Sequence, residues 1–276
     1  MTRRSFLPAA AGLAGLHAVA ADQPVKRKGR LKQGARRGCF GKGMPLEDMC
    51  PYAARLGLVG LDGGTEPNDW PTLRKYGLIS VMASGCSGIN KKENHEKAEK
   101  QLITNLGLVS EAGFPNVIIT FATKQGQPDA EATENCVAFL NRVKAVAEDK
   151  RVTICMELFN SKVNHPDAFA DHTQKLVTIC KLVNSPRVKI LYDIYHMQIM
   201  EGDIIRTIRD NFQYIGHFHT AGNPGRHEID DTQELNYRAI AQAIVDLNYT
   251  GYLGHEYTPV RDPLTSLDQA IAICDV

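Results

Sequence analysis

The sequence predicts a (β/α)8 barrel. Short apolar or β-branched runs alternate with amphipathic stretches, eight of each can be counted, and one pair occupies about 30 residues. The length of 276 residues suits a single barrel domain, and 43% hydrophobic with 23% charged residues excludes a disordered or fibrous chain. A doubly wound open sheet is the alternative. It lacks support, because no G-x-G-x-x-G follows a strand; Gly63-Gly64 and Gly85 do not have that spacing.

In chain order, the expected strands lie at 37–40, 58–62, 78–83, 116–121, 152–159, 188–194, 214–220 and 252–257. The expected helices lie at 46–56, 71–76, 93–112, 130–148, 166–184, 203–210, 234–247 and 263–273. Asn68 and Asp69 before Trp70-Pro71, and Asp262 before Pro263, are helix-start signals: a short polar acceptor followed by a proline whose missing N–H costs nothing in the first turn. No internal repeat beyond the βα unit and no low-complexity linker interrupts the body, so it reads as one domain over 38–276.

The first 37 residues differ from the rest. They hold nine Lys or Arg against one acid, Asp22, leaving 23 basic and 30 acidic residues in the body, about −7 there against +1 for the whole chain. An acidic body argues against nucleic acid as a partner. Arg3-Arg4-Ser5-Phe6-Leu7, an Ala/Leu/Gly-rich run and Ala18-Val19-Ala20 have the order of an export signal, with adjacent arginines of the twin-arginine type. The expectation is a signal at 1–20 cleaved after Ala20, a basic linker at 21–37, recognition by the twin-arginine machinery and a periplasmic or exported destination. The apolar run is shorter than the ~20 residues that span a bilayer, so no permanent membrane anchor is expected. The seven cysteines (Cys39, Cys50, Cys86, Cys136, Cys155, Cys180, Cys274) form no C-x-x-C pair and read as small core residues.

Barrels build their sites at the C-terminal ends of strands. The fifth expected strand ends in Glu157, the sixth in Asp193 and His196, the seventh in His217 and His219, and the eighth in His255-Glu256-Tyr257. A carboxylate in an apolar strand is costly unless paired or bound to a metal. Glu157, Asp193, His219 and Glu256 offer three carboxylates and one imidazole, a donor set for one divalent ion such as Mn²⁺, Mg²⁺ or Co²⁺ rather than a thiolate-seeking metal. Period-two alternation puts His217 on the same face as His219 but lower, as a hydrogen-bonded core residue.

These segments, together with Asn160, Pro224-Gly225-Arg226-His227-Glu228 and Glu234-Leu-Asn236-Tyr237, resemble the hydroxypyruvate isomerase family, part of the wider xylose-isomerase-like group of sugar isomerases and epimerases. The resemblance covers the body from about Cys39 onward. It implies a metal on Glu157, Asp193, His219 and Glu256, with Glu157 and Glu256 also serving as the catalytic acid/base pair. It further implies His196, Arg226 and His227 at the substrate, although His227 and Glu228 suit a loop-fastening pair equally well. The implied activity is isomerisation of a small hydroxy-keto acid or keto-sugar, with hydroxypyruvate, interconverted with tartronate semialdehyde, first, since its carboxylate suits a bidentate Arg226. The region after Glu157 reads Ser161-Lys162-Val163, without the acid that epimerases of the group often carry there. An exported epimerase or keto-glycoside lyase would share the metal site. An abasic-site phosphodiesterase would need further histidines on the early strands, which exit through Ser84-Gly85-Cys86 and Phe121-Ala122. A sugar-binding barrel without catalysis would lack a ligand, and all four are present. Both a monomer and a homodimer are compatible with the sequence.

Overall fold

Inside a barrel every strand is covered on both faces, so its residues are apolar nearly throughout. Ile154, Cys155, Met156 and Glu157 on β5 (Thr153–Glu157) are all buried, as are five of the six residues of β6 (Val188–Asp193) and of β7 (Ile215–Thr220). The computed structural model describes residues 24–276 and shows these strands with β1 (Lys32–Ala35), β2 (Gly60–Asp62), β3 (Ile79–Ser87), β4 (Asn116–Thr120) and β8 (Tyr252–His255). All pair in parallel, in chain order, and β1 closes on β8.

The covering helices are α1 (Leu46–Arg55), α2 (Trp70–Lys75), α3 (His95–Glu111), α4 (Asp129–Lys150), α5 (Thr173–Val183), α6 (Ile194–Met200), α7 (Ile204–Asn211), α8 (Tyr237–Asp246) and α9 (Pro263–Cys274). Their starts are chemically marked. Asp262 accepts from the backbone N–H of Thr265 at 2.9 Å ahead of Pro263, and Asn236 accepts from that of Ala239 at 3.0 Å. Such caps contribute about 1 kcal/mol each. The main apolar core lies between sheet and helices. A separate cluster of Met82, Cys155 and Leu191, with Ile118 against it, comes from β3, β5, β6 and β4 and fills the interior of the barrel. All seven cysteines are buried and unpaired, as expected of small core residues.

Three expectations are corrected. The first strand is Lys32–Ala35; the expected strand at 37–40 is a 3-10 helix that buries Cys39 and Phe40. Lys-Gln-Gly-Ala has little strand propensity of its own, and it is extended because β2 and β8 pair with it from both sides. The body therefore begins before residue 38. From Val25 the stretch read as a linker is already fastened: Val25 N–H donates to Arg55 O at 2.9 Å, Arg27 Nε to Leu56 O at 3.1 Å, and the Lys28 and Gly29 amides to the Asp275 carboxylate. Residues 166–172, expected as the first turns of a helix, are loop. Finally, α6 went unforeseen because it starts directly at the end of β6, where the Asp193 carboxylate caps the His196 N–H at 3.0 Å. The export signal and its cleavage point fall on residues outside the described ones. Among the described residues no helix is long and apolar enough to cross a membrane.

Candidate active site

Side chains alternate along a strand, so inward-facing residues two apart form layers. Cys155, Leu191 and His217 lie in the lower layer; Glu157, Asp193 and His219 stand one step nearer the strand ends. Glu256 follows β8 directly. Among the described residues, Glu157, Asp193, His219 and Glu256 bring ligand atoms within 4.8 Å of one another, and a second group, Asp62, His217 and His219, does the same. The four expected ligands therefore converge from four successive strands.

His219 Nδ1 lies 2.6 Å from Glu256 Oε2 and 3.6 Å from Glu157 Oε1. The close pair lacks hydrogen-bond geometry, so Nδ1 and Oε2 are buried polar atoms with no hydrogen-bond partner. Such atoms are costly unless something else satisfies them. Three carboxylates and an imidazole aimed at one point, two of them carrying an unsatisfied donor atom, fit a divalent cation.

The two glutamates differ in proton affinity. Burial raises that of Glu157, and the nearby Glu256 and Asp193 charges add to it, while His219 pulls the other way. Glu256 is half-buried, with Oε2 fully enclosed; desolvation raises its proton affinity too, but His219, Arg36 and Arg226 outweigh that and hold it well below the usual carboxylate range. Two carboxyls with proton affinities driven apart can divide acid and base duties.

Arg226 spans the mouth of the cluster. Its Nη2 donates toward Asp193 Oδ2 and lies 3.3 Å from it and 3.3 Å from Glu256 Oε2, while the guanidinium covers the Tyr195 ring at 5.5 Å. His196 is positioned by Asn160, whose Oδ1 accepts from the Val163 and Asn164 amides, so that its Nδ2 faces His196 Nδ1 at 2.6 Å. The imidazole proton is thereby assigned to Nε2, on the Asp193 side, where it has no hydrogen-bond partner. Burial pulls the His196 ring down to about 4, so it is a neutral donor near pH 7. His165, stacked on Phe159 at 4.2 Å and edge-on to His196 at 5.2 Å, extends this wall.

His227 is not brought into the cluster. It is exposed, and its Nδ1 donates to Thr258 O at 2.9 Å. Glu228 is buried and accepts from the Val260 and Arg261 amides and the Ser266 hydroxyl. Both fasten the 221–228 loop to the loop after β8. Residues of the Glu234–Tyr237 motif also hold this region in place, since Asn236 caps α8, while Tyr237 Oη donates to Ala221 O at 2.6 Å and accepts from Ala221 N–H at 3.0 Å.

Two residues of the site were not expected. Arg36, in the supposed linker, donates from Nη1 to Glu256 Oε1 at 2.7 Å. Asp62, at the end of β2, is buried against His217 and His219. The rule that found Glu157 and Asp193, an acid at a strand exit, also applies to Asp62. His217 is the buried, hydrogen-bonded residue that the alternation predicted.

Fold and donor set together define a (β/α)8 barrel with one acid-rich centre at the C-terminal ends of its strands. The xylose isomerase-like TIM barrel family matches residues 72–274, and the chain belongs to it. A hydroxypyruvate isomerase from Escherichia coli is 38% identical over 100 residues, 35% of this chain and 38% of that protein. A 2-oxo-tetronate isomerase from Pectobacterium atrosepticum is 28% identical over 234 residues, 78% of this chain and 87% of that protein. The chain spans about two fifths of the length of the Escherichia coli relative and of relatives from Xenopus laevis, Homo sapiens and Danio rerio. In fold, it superposes on a family 2 AP endonuclease from Brucella melitensis with a TM-score of 0.79 at 21% identity, over 86% of this chain and 96% of that one.

Proposed function

We propose that this protein is a metal-dependent isomerase of a small hydroxy-keto acid, with hydroxypyruvate, interconverted with tartronate semialdehyde, as the substrate that fits best. The observation that carries this reading is the pair Glu157, buried, and Glu256, half-buried, with opposed proton affinities beside a guanidinium that can take a carboxylate. Moving a carbonyl to the neighbouring carbon requires a proton to leave one carbon, an enediolate to survive, and a proton to return to the other carbon. One glutamate takes the first proton and the other supplies the second, so no net proton is consumed. A divalent ion held by Glu157, Asp193, His219 and Glu256 would stabilise negative charge growing on the two substrate oxygens. His196 donates its Nε2–H to a substrate oxygen. Arg226 pairs with the substrate carboxylate and fixes which end of the molecule faces the glutamates. The names of the two relatives above point to the same substrate class.

The test is isotope exchange. With hydroxypyruvate in deuterated water and added Mn²⁺, Mg²⁺ or Co²⁺, the protein should wash deuterium into the substrate carbon, and Glu157→Gln or Glu256→Gln should each abolish it. Exchange retained in both variants would overturn the acid/base assignment. A panel extended to keto-hexoses and keto-glycosides separates this substrate class from an epimerase or lyase on the same residues.

A further inference from the structure

A histidine that ligates through one ring nitrogen needs its other nitrogen held, or the ring turns and the proton moves to the wrong atom. The barrel contains such a holder. Asp62 leaves β2 pointing inward and is 1% exposed. Its Oδ1 lies 3.1 Å from His219 Nε2, and its Oδ2 lies 2.6 Å from His217 Nε2. An ionised carboxylate only accepts, so both contacts place the ring protons on Nε2. With that proton on Nε2, the neutral His219 ring has its lone pair on Nδ1, the atom that faces Glu157 and Glu256.

Space for this arrangement is provided by Gly254, one of three glycines in register. Gly34 on β1 pairs with Gly60 on β2 and with Gly254 on β8, and Gly254 pairs with His219 on β7. A Cβ on Gly254 would meet Asp62 Oδ2 at 1.8 Å and His219 Cδ2 at 3.1 Å. Gly254, having no side chain, thus leaves room for the Asp62 carboxylate beside the His219 imidazole where an apolar side chain would otherwise fill the barrel.

From this geometry we infer that Asp62 is the positioning residue of the metal centre: it sets the His219 tautomer and aims Nδ1 at the cation, with His217 occupying its second oxygen. The inference rests on the metal reading above and deepens it. Asp62 contacts neither substrate nor cation in this arrangement. Replacing Asp62 by Asn keeps the shape but puts an NH2 where one histidine needs an acceptor, so the two rings can no longer both keep their protons on Nε2.

The experiment pairs a spectroscopic measurement on the wild-type chain with a binding measurement on the variant. In Zn²⁺-loaded wild type, ¹⁵N shifts of the histidine rings should show His219 protonated at Nε2 and coordinated through Nδ1; coordination through Nε2 would overturn the proposal whether or not any variant folds. Asp62→Asn should bind Mn²⁺ roughly 10- to 100-fold more weakly, the range typical of lost outer-shell carboxylates. His95→Gln, in the same fold but away from the barrel interior, should leave affinity unchanged. Equal affinity in Asp62→Asn and wild type overturns the role of Asp62 alone. A wild-type chain that takes up no divalent ion overturns the metal reading and this inference with it.

Discussion

Arg36 and Glu256 are joined at 2.7 Å across the seam where the first strand closes on the last. The contact uses Oε1 of Glu256 and leaves Oε2 facing His219 Nδ1. Arg36 therefore decides which oxygen of Glu256 is available to the centre and helps keep that carboxylate ionised.

Arg36→Gln should accordingly impair chemistry more than folding. A hydrogen bond to a charged group contributes about 1.5–3 kcal/mol, which corresponds to roughly a ten- to hundredfold loss in kcat. The side chain is 37% exposed, so the thermal midpoint should move by no more than a few degrees. Steady-state kinetics on hydroxypyruvate with a parallel melting curve separates the two effects; an unchanged kcat would show that Glu256 is oriented without Arg36.

The 221–228 loop makes a second prediction. Gly222 N–H donates to His227 O and Arg226 N–H to Gly222 O, both at 2.8 Å, and a Cβ on Gly222 would meet Glu228 O at 2.0 Å. Gly222→Ala must push the turn outward and carry Arg226 away from Asp193 and Glu256. KM for a keto acid should rise about tenfold, a loss of ~1.4 kcal/mol of substrate binding. A keto-sugar without a carboxylate should be much less affected. Equal losses on both substrates would remove Arg226 as the carboxylate partner.

The contrast between Glu157 and Arg36 shows what was legible in the sequence. Glu157, Asp193, His219 and Glu256 end apolar runs, so the cost of burying them marked them as functional, and alternation placed His217 below His219. Asp62 ends an equally apolar run, but its partners are two histidines 155 and 157 residues away, which sequence alone does not bring to it. Arg36 was hidden differently: β1 is extended by its neighbours rather than by its own propensity, so a lysine- and arginine-rich stretch read as solvated. His227 shows the converse: a motif shared with a family marks the loop, and the structure shows the loop-fastening alternative through Thr258 O.

Acid sensitivity should trace in part to His255. It is fully buried; Nε2 donates to Gln33 Oε1 at 2.9 Å, and Nδ1 accepts from the Thr220 hydroxyl at 2.8 Å. Burial lowers its proton affinity to about 4, against about 6.5 in an unfolded chain. Above pH 6.5 the ring is neutral in both states and its contribution is present in full. As pH falls below 6.5 the unfolded chain binds a proton that the folded chain refuses, and stability drops until about pH 4, by about 3 kcal/mol in total. His196 titrates in the same sense. His255→Gln keeps polar groups for both partners and should lose less stability between pH 7 and pH 4.5 than wild type in urea unfolding. An identical drop would assign the acid sensitivity to other groups.

The last prediction concerns where the domain starts. β1 supplies one of eight strands and both ladders at the seam, and Arg36 follows it. Ahead of β1, Val25, Arg27, Lys28 and Gly29 attach to α1 and to the residues around α9. Removing β1 would expose the ladder edges of β2 and β8, delete the buried Gln33 side chain that donates to Ile271 O at 3.2 Å and accepts from His255 Nε2, and open the barrel. A chain starting at Pro24 should melt within a few degrees of the full-length protein. A chain starting at Gly38, the boundary that charge and composition alone would choose, should be insoluble or unfolded by circular dichroism. A folded, cooperative Gly38 chain would mean that seven strands suffice and that β1 only decorates the edge. The comparison needs no substrate and no metal, so it tests the reading of the N-terminal segment independently of the chemistry.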